Sequence, residues 1–161
     1  MVRTPSDSDF TELVEAAWPG LYRTAYLLVG DHHLAEDLVQ TSLAKTYASW
    51  GKVREPAAAA GYARVVLANT ASSWFRRRSW RNERPASELP EPAGSIPEPS
   101  DRPAIVEALR TLPPRQRAVV VLRYYADMSE AEIALALDCR PGTVKSLSAR
   151  ALASLSKEVE R

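Results

Sequence analysis

The chain has 161 residues, 45% of them hydrophobic and 25% charged, with 21 cationic side chains against 20 acidic ones. That balance excludes a chain disordered or fibrous throughout and fits one ordinary domain or two small ones. The single cysteine, Cys139, excludes an internal disulfide and a cysteine-based zinc site.

No apolar run is long enough to cross a bilayer, and the opening M-V-R-T-P-S-D-S-D lacks the apolar core of a signal peptide. A cytoplasmic protein without stable membrane insertion is therefore expected. The small net charge hides an asymmetry. Residues 1–40 hold seven acids (Asp7, Asp9, Glu12, Glu15, Asp31, Glu36, Asp37) against Arg3 and Arg23, whereas residues 74–84 hold five arginines against Glu83. Two partners of opposite charge follow from this.

The first apolar periodicity runs through Phe10, Leu13, Val14 and Ala17, and Pro19 is expected to restart a second helix through Leu21, Tyr22, Ala25 and Leu28. Gly30 ends it and Asp31 caps the next. That next helix should turn Leu34, Leu38, Leu43 and Tyr47 inward and leave Glu36, Asp37 and Gln40 outward. After the loop W-G-K-V-R-E, Pro56 sits where a first helical position belongs, opening a helix that reaches towards Arg84.

Residues 85–103 contain six of the twelve prolines and four acids, which is incompatible with helix or central strand. They read as an extended acidic tether between a unit at 1–84 and a second at 104–161. In the second unit Ile105, Leu109 and Leu112 form a short amphipathic helix stopped by Pro113-Pro114, and a longer one follows with Val119, Val120, Leu122 and Tyr124 as its core face. Ser129 and Glu132 form a capping box ahead of Ile133 and Leu137. A tight turn at Asp138 to Arg140 leads to a final helix from Pro141. No alternating segments suggest strands, so the class is all-α.

On a wheel at 100° per residue, Val144, Leu147, Ser148, Ala151, Leu152 and Leu155 of the last helix share the core side. The opposite side collects Gly142, Thr143, Lys145, Ser146, Ala149, Arg150 and Ala153, with no carboxylate among them. Small residues let such a face approach another surface closely, while Lys145 and Arg150 suit phosphate or guanine edges and Thr143 and Ser146 suit phosphate or bases. A short helix, a turn and such a second helix form a helix-turn-helix.

Four blocks carry a family resemblance: G-D-H-H-L-A-E-D-L-V-Q-T; Y-A-R-V-V-L-A-N-T; L-P-P-R-Q-R-A-V-V-V-L-R-Y-Y-A-D-M-S-E-A-E-I-A-L-A-L; and C-R-P-G-T-V-K-S. In this order the chain resembles the minimal two-domain extracytoplasmic-function sigma factors of bacteria. The resemblance implies a promoter-specificity subunit of RNA polymerase, with no cofactor. Its first domain would bind the β′ clamp and open the minus-ten element. The second would bind the minus-thirty-five element as duplex and contact the β flap. It implies clamp contacts at Asp37 and Gln40, with Thr41 departing from the carboxylate common in relatives. It implies capture of unstacked minus-ten bases around Trp50, Lys52, Arg54, Arg64 and Asn69. Trp50 and Tyr62 are also rings that a small helical domain would bury.

The arginine run that includes Arg76, Arg77 and Arg78 would meet the DNA backbone just upstream, and Arg115 and Arg117, preceding a helix, would clamp phosphates near the minus-thirty-five element. Within residues 137–152, Arg140 and Leu147 stand where relatives usually have a serine and an arginine. An anti-sigma factor is a candidate further partner, and a monomer is expected outside the holoenzyme. The competing reading is a conventional helix-turn-helix regulator, which would read duplex as a symmetric dimer; a protein-interaction module is a third. An enzyme is not expected, because the histidines are the adjacent pair His32-His33 and neither a glycine-rich phosphate loop nor a metal-spaced ligand set occurs.

Overall fold

The computed structural model describes residues 5–82 and 103–160. The proline-rich segment 85–103 lies outside the described residues except for Pro103, as does any helix beyond Asn82. The described residues form helices only: α1 (Asp7–Val29), α2 (His32–Ala48), α3 (Ala59–Asn82), α4 (Ala104–Arg110), α5 (Pro114–Tyr124), α6 (Glu130–Leu137) and α7 (Pro141–Val159), with short 3-10 turns at Trp50–Lys52 and Pro56–Ala58.

Local chemistry sets the ends of these helices. Ser6 caps α1 by accepting from the Asp9 amide while the Asp9 carboxylate accepts from the Ser6 amide, a reciprocal box that satisfies two orphan donors. Gly30 takes the left-handed conformation that closes α1, and Asp31 accepts from the Leu34 amide to open α2. Ser129 and Glu132 form the expected box on α6, and Asp138 ends that helix at φ 52°. Pro56 opens a 3-10 turn that runs directly into α3.

Pro19 does not break α1, which runs through it as one helix. Glu15, Ala16, Pro19 and Gly20 are all exposed, so the missing amide falls on the solvent side and the buried face continues from Leu13 to Leu21. The inward stripe of α2 is also shifted from expectation. Ala35, Leu38, Val39, Ser42, Leu43 and Thr46 are buried, whereas Leu34 and Tyr47 are exposed. Small residues at 35, 42 and 46 let α2 lie close to its neighbours; Ser42 and Thr46 satisfy their hydroxyls by donating to the carbonyls four residues back. In α4 Val106, not Ile105, lies in the core face, and Ile105, Tyr124 and Leu152 are exposed.

The two helical units, α1–α3 and α4–α7, share one continuous apolar core. It joins Leu28, Leu38, Leu67 and Ala71 of the first to Val106, Leu109, Val119, Leu122, Ile133 and Val144 of the second. Across the boundary α3 packs on α6 and α5, and α1 packs on α5 and α4. Two bodies each near the lower size limit for an independent core thereby gain a common one.

Candidate nucleic-acid and polymerase interfaces

At the far side of the second unit, α7 buries Val144, Ser148 and Ala151 and turns the opposite face to solvent. Arg140, Gly142, Lys145, Ser146, Ala149 and Arg150 are exposed and Thr143 is partly so. A Cβ at Gly142 would meet no atom within 4 Å, so the backbone there is open to close approach. Arg140 occupies the N-cap with no side-chain cap bond, which leaves the first amides of α7 and their partial positive charge without a side-chain acceptor from the cap.

Arg115 joins this face. It lies in the first turn of α5, within the helix and not before it, and lines one surface depression together with Arg140, Gly142, Thr143, Ser146, Leu147 and Arg150. The contribution of Leu147 follows from its partial exposure at the edge of the core stripe. Glu130, which the sequence does not single out, sits 3.9 Å from the Lys145 ammonium and pairs with Arg123. That hydrogen bond holds the Arg123 guanidinium pKa above its ordinary value. Lys145 is mostly exposed, so its ion pair is weak and screened.

In the first unit Asp37 and Gln40 are exposed one helical turn apart on α2, beside Glu36. Lys52 and Arg54 are exposed at the turn after α2. Trp50 is not. Its ring is 4% exposed, its indole N–H donates to the Ser6 carbonyl at 2.8 Å, and it packs edge-on against Phe10 at 5.2 Å. In this conformation Trp50 anchors the start of α1 and has no free face for a base. Tyr62 is exposed.

On α3, Arg76 and Arg77 are exposed, and Arg78 lies in the helix with its side chain outside what is described. Arg64 and Asn69 face the second unit. The Arg64 guanidinium donates to the Ala126 carbonyl at 3.1 Å, and the Asn69 amide makes a longer contact, 3.4 Å, to the Ala136 carbonyl near the end of α6. Arg117, expected on phosphate, instead donates to the carbonyls of Leu109 at 3.0 Å, Leu112 at 3.1 Å and Leu28 at 2.9 Å. The carbonyls that end a helix lack intrahelical donors and carry partial negative charge, so those of α1 and α6 are natural acceptors for these groups. Arg117 also lies within α5 and not before it, and the backbone acceptors that these three donors meet carry no mark in the sequence.

Among the described residues no cluster of histidine, cysteine, aspartate or glutamate could hold a metal ion, and no helix is long and apolar enough to cross a membrane.

Two family models match the chain: sigma-70 region 2 over residues 13–81 and sigma-70 region 4 over residues 102–155. The chain is 41% identical to the RNA polymerase sigma-E factor of Streptomyces antibioticus, covering 94% of this chain and 85% of that protein. It is 42% identical to that of Streptomyces coelicolor, covering 94% and 86%. An ECF RNA polymerase sigma factor of Mycobacterium tuberculosis, SigM, is 28% identical over 92% of this chain and 76% of its own. Among solved structures, the sigma factor RpoE in complex with the anti-sigma factor NepR from Bartonella quintana superposes with a TM-score of 0.72 at 25% identity, covering 94% of this chain and 97% of that one.

Proposed function

The chain belongs to the extracytoplasmic-function group of the sigma-70 family, whose members direct transcription initiation with core RNA polymerase at promoter DNA, and we propose that it divides promoter recognition between its two helical units. Residues 1–84 bind the polymerase clamp and the minus-ten element, 85–103 act as a tether, and 104–161 bind the minus-thirty-five element and the flap. The observation that carries this reading is the solvent-facing side of α7, where Arg140, Gly142, Thr143, Lys145, Ser146, Ala149 and Arg150 share a face with no carboxylate of its own, the one ion pair described on it being the exposed Lys145 with Glu130 of α6, and where Arg115 adds a cation from a second helix. Arg150 and Lys145 read base edges or phosphates in a major groove, and Arg140, Arg115 and the α7 amides hold the backbone.

Asp37 and Gln40, exposed on α2, contact a cationic surface of the clamp. Lys52, Arg54, Arg64 and Asn69 hold the unstacked minus-ten strand through backbone cations and one side-chain amide. Arg76, Arg77 and Arg78 neutralise phosphates upstream. The protein supplies binding and positioning without covalent chemistry of its own, acts in the cytoplasm as a monomer outside the holoenzyme, and is open to control by an anti-sigma factor. A conventional duplex-reading regulator would not need the first unit. Run-off transcription with core polymerase stripped of its specificity subunit tests the proposal: addition of this chain should produce discrete transcripts from a subset of genomic templates. No initiation on any template would overturn it.

A further inference from the structure

The turn after α2 sorts its side chains between two sides. Trp50 is buried and Val53 partly so, whereas Gly51, Lys52, Arg54 and Glu55 are exposed. The inward pair does not join the core shared by the two units. It belongs to a small separate cluster of Trp50, Leu13 and Ala59, against which Phe10, Ala17 and Val53 pack. One wall of that cluster therefore comes from the first half of α1.

The hydrogen bonds follow the packing. The Trp50 indole N–H donates to the Ser6 carbonyl at 2.8 Å, an acceptor that already takes the Phe10 amide at 3.1 Å. A carbonyl oxygen has two lone pairs, so one atom at the helix start serves both donors. Ser6 is itself fixed by its reciprocal box with Asp9. At the end of α2, Tyr47 donates to the Asp7 carboxylate at 2.9 Å, and its ring lies 4.9 Å from that of Phe10. From Trp50 the constraint passes along the backbone. Its carbonyl accepts the Val53 amide at 3.1 Å, and the Ser49 carbonyl accepts the Lys52 amide at 3.0 Å. The turn that carries Lys52 and Arg54 is thus pinned, by ring and by N–H, to a helix start 44 residues earlier.

We propose that Trp50, seated by Ser6 and Phe10, is a positioning residue for minus-ten recognition: it touches no base, and it sets where Lys52 and Arg54 meet the strand. The inference rests on the assignment of Lys52 and Arg54 to that strand. The physical reason is entropic. Long cations on an unconstrained turn would lose backbone and side-chain freedom on binding, and the pinned turn has lost much of the backbone part already in folding. The first turn of α1, which makes no assigned contact with DNA, thereby takes part in promoter reading.

The test uses the full chain assembled with core polymerase, and single-stranded minus-ten oligonucleotides that differ at one base. Trp50→Phe keeps a ring against Phe10 and removes the donor. It should weaken the preferred oligonucleotide about fivefold, the scale of one hydrogen bond, and reduce discrimination between bases, while core and minus-thirty-five duplex affinities stay within about twofold. The deciding measurement is a double-mutant cycle. Lys52→Ala and Arg54→Ala should each cost less in the Trp50→Phe chain than in the unaltered one. Additive losses overturn the positioning role and leave Trp50 a packing residue only. Ser6→Ala, which opens the box without touching the ring, should act in the same direction with a smaller effect; full oligonucleotide affinity in both folded variants also overturns the proposal. Hydrogen exchange across residues 50–58 of the free chain separates the pinning from the functional reading. Exchange should quicken in Trp50→Phe, and unchanged exchange overturns the pinning. If Lys52→Ala and Arg54→Ala leave oligonucleotide binding intact in the otherwise unaltered chain, the minus-ten assignment itself is overturned, and the exchange result still decides whether the turn is pinned.

Discussion

Helices α3 and α7 both carry cations among small side chains, yet they stand in opposite situations. The outward face of α7 is exposed from Arg140 to Arg150 apart from the weak pairing of Lys145 with Glu130, with Arg115 beside it, whereas two of the donors on α3 are engaged by the carbonyls of Ala126 and Ala136. The difference teaches that a donor-rich helix face in a sequence identifies what a surface can bind, not what already occupies it. Helix C-termini are strong intramolecular competitors for such donors, because their last carbonyls lack partners and carry partial negative charge.

The largest expected effect tests the shared core that holds the comparison together. Leu28 is fully buried near the end of α1, so Leu28→Ala should cost about 2–5 kcal/mol of stability, read by denaturant unfolding. Unfolding should remain a single transition, because both units bury the same cluster; two separate transitions would show that they are independent bodies. On the open side, Arg150→Ala should weaken minus-thirty-five duplex binding by roughly 1–3 kcal/mol and relax base choice if its contact is bidentate to guanine. Unchanged promoter choice in a binding titration would remove Arg150 from readout. On α2, Asp37→Arg should lower affinity for core polymerase by roughly tenfold, mainly through slower association, with melting temperature unchanged. An unaltered affinity in a competition assay would take Asp37 out of that interface. The smallest effect is local: Ser129→Ala removes the cap of α6 and should cost about 1 kcal/mol, read as a lower denaturation midpoint.

The comparison also explains which expectations succeeded. Gly30, Asp31, Ser129 and Glu132 act within a few residues of themselves, so their roles as stop, cap and box were legible from the chain alone. The outward placement of Asp37, Gln40 and the α7 cations followed from helical periodicity. The shifted stripe of α2 did not, because burial there favours Ala35, Ser42 and Thr46, which permit close packing, over the larger Leu34 and Tyr47. The continuity of α1 through Pro19 depends on that residue facing solvent, and the burial of Trp50 depends on the Ser6 carbonyl and Phe10 arriving from the start of α1.

What the sequence by itself determined is the all-helical class, the ends of most helices, the helix-turn-helix and the signs of its charged faces, since each arises from side-chain pattern and local hydrogen bonding. Only the tertiary structure decided that the two units share a core and that Arg64, Asn69 and Arg117 bond across it. The physical reason is that their acceptors are backbone carbonyls 62 to 89 residues away. Every residue carries such a carbonyl, so no sequence pattern marks the few that packing brings within reach.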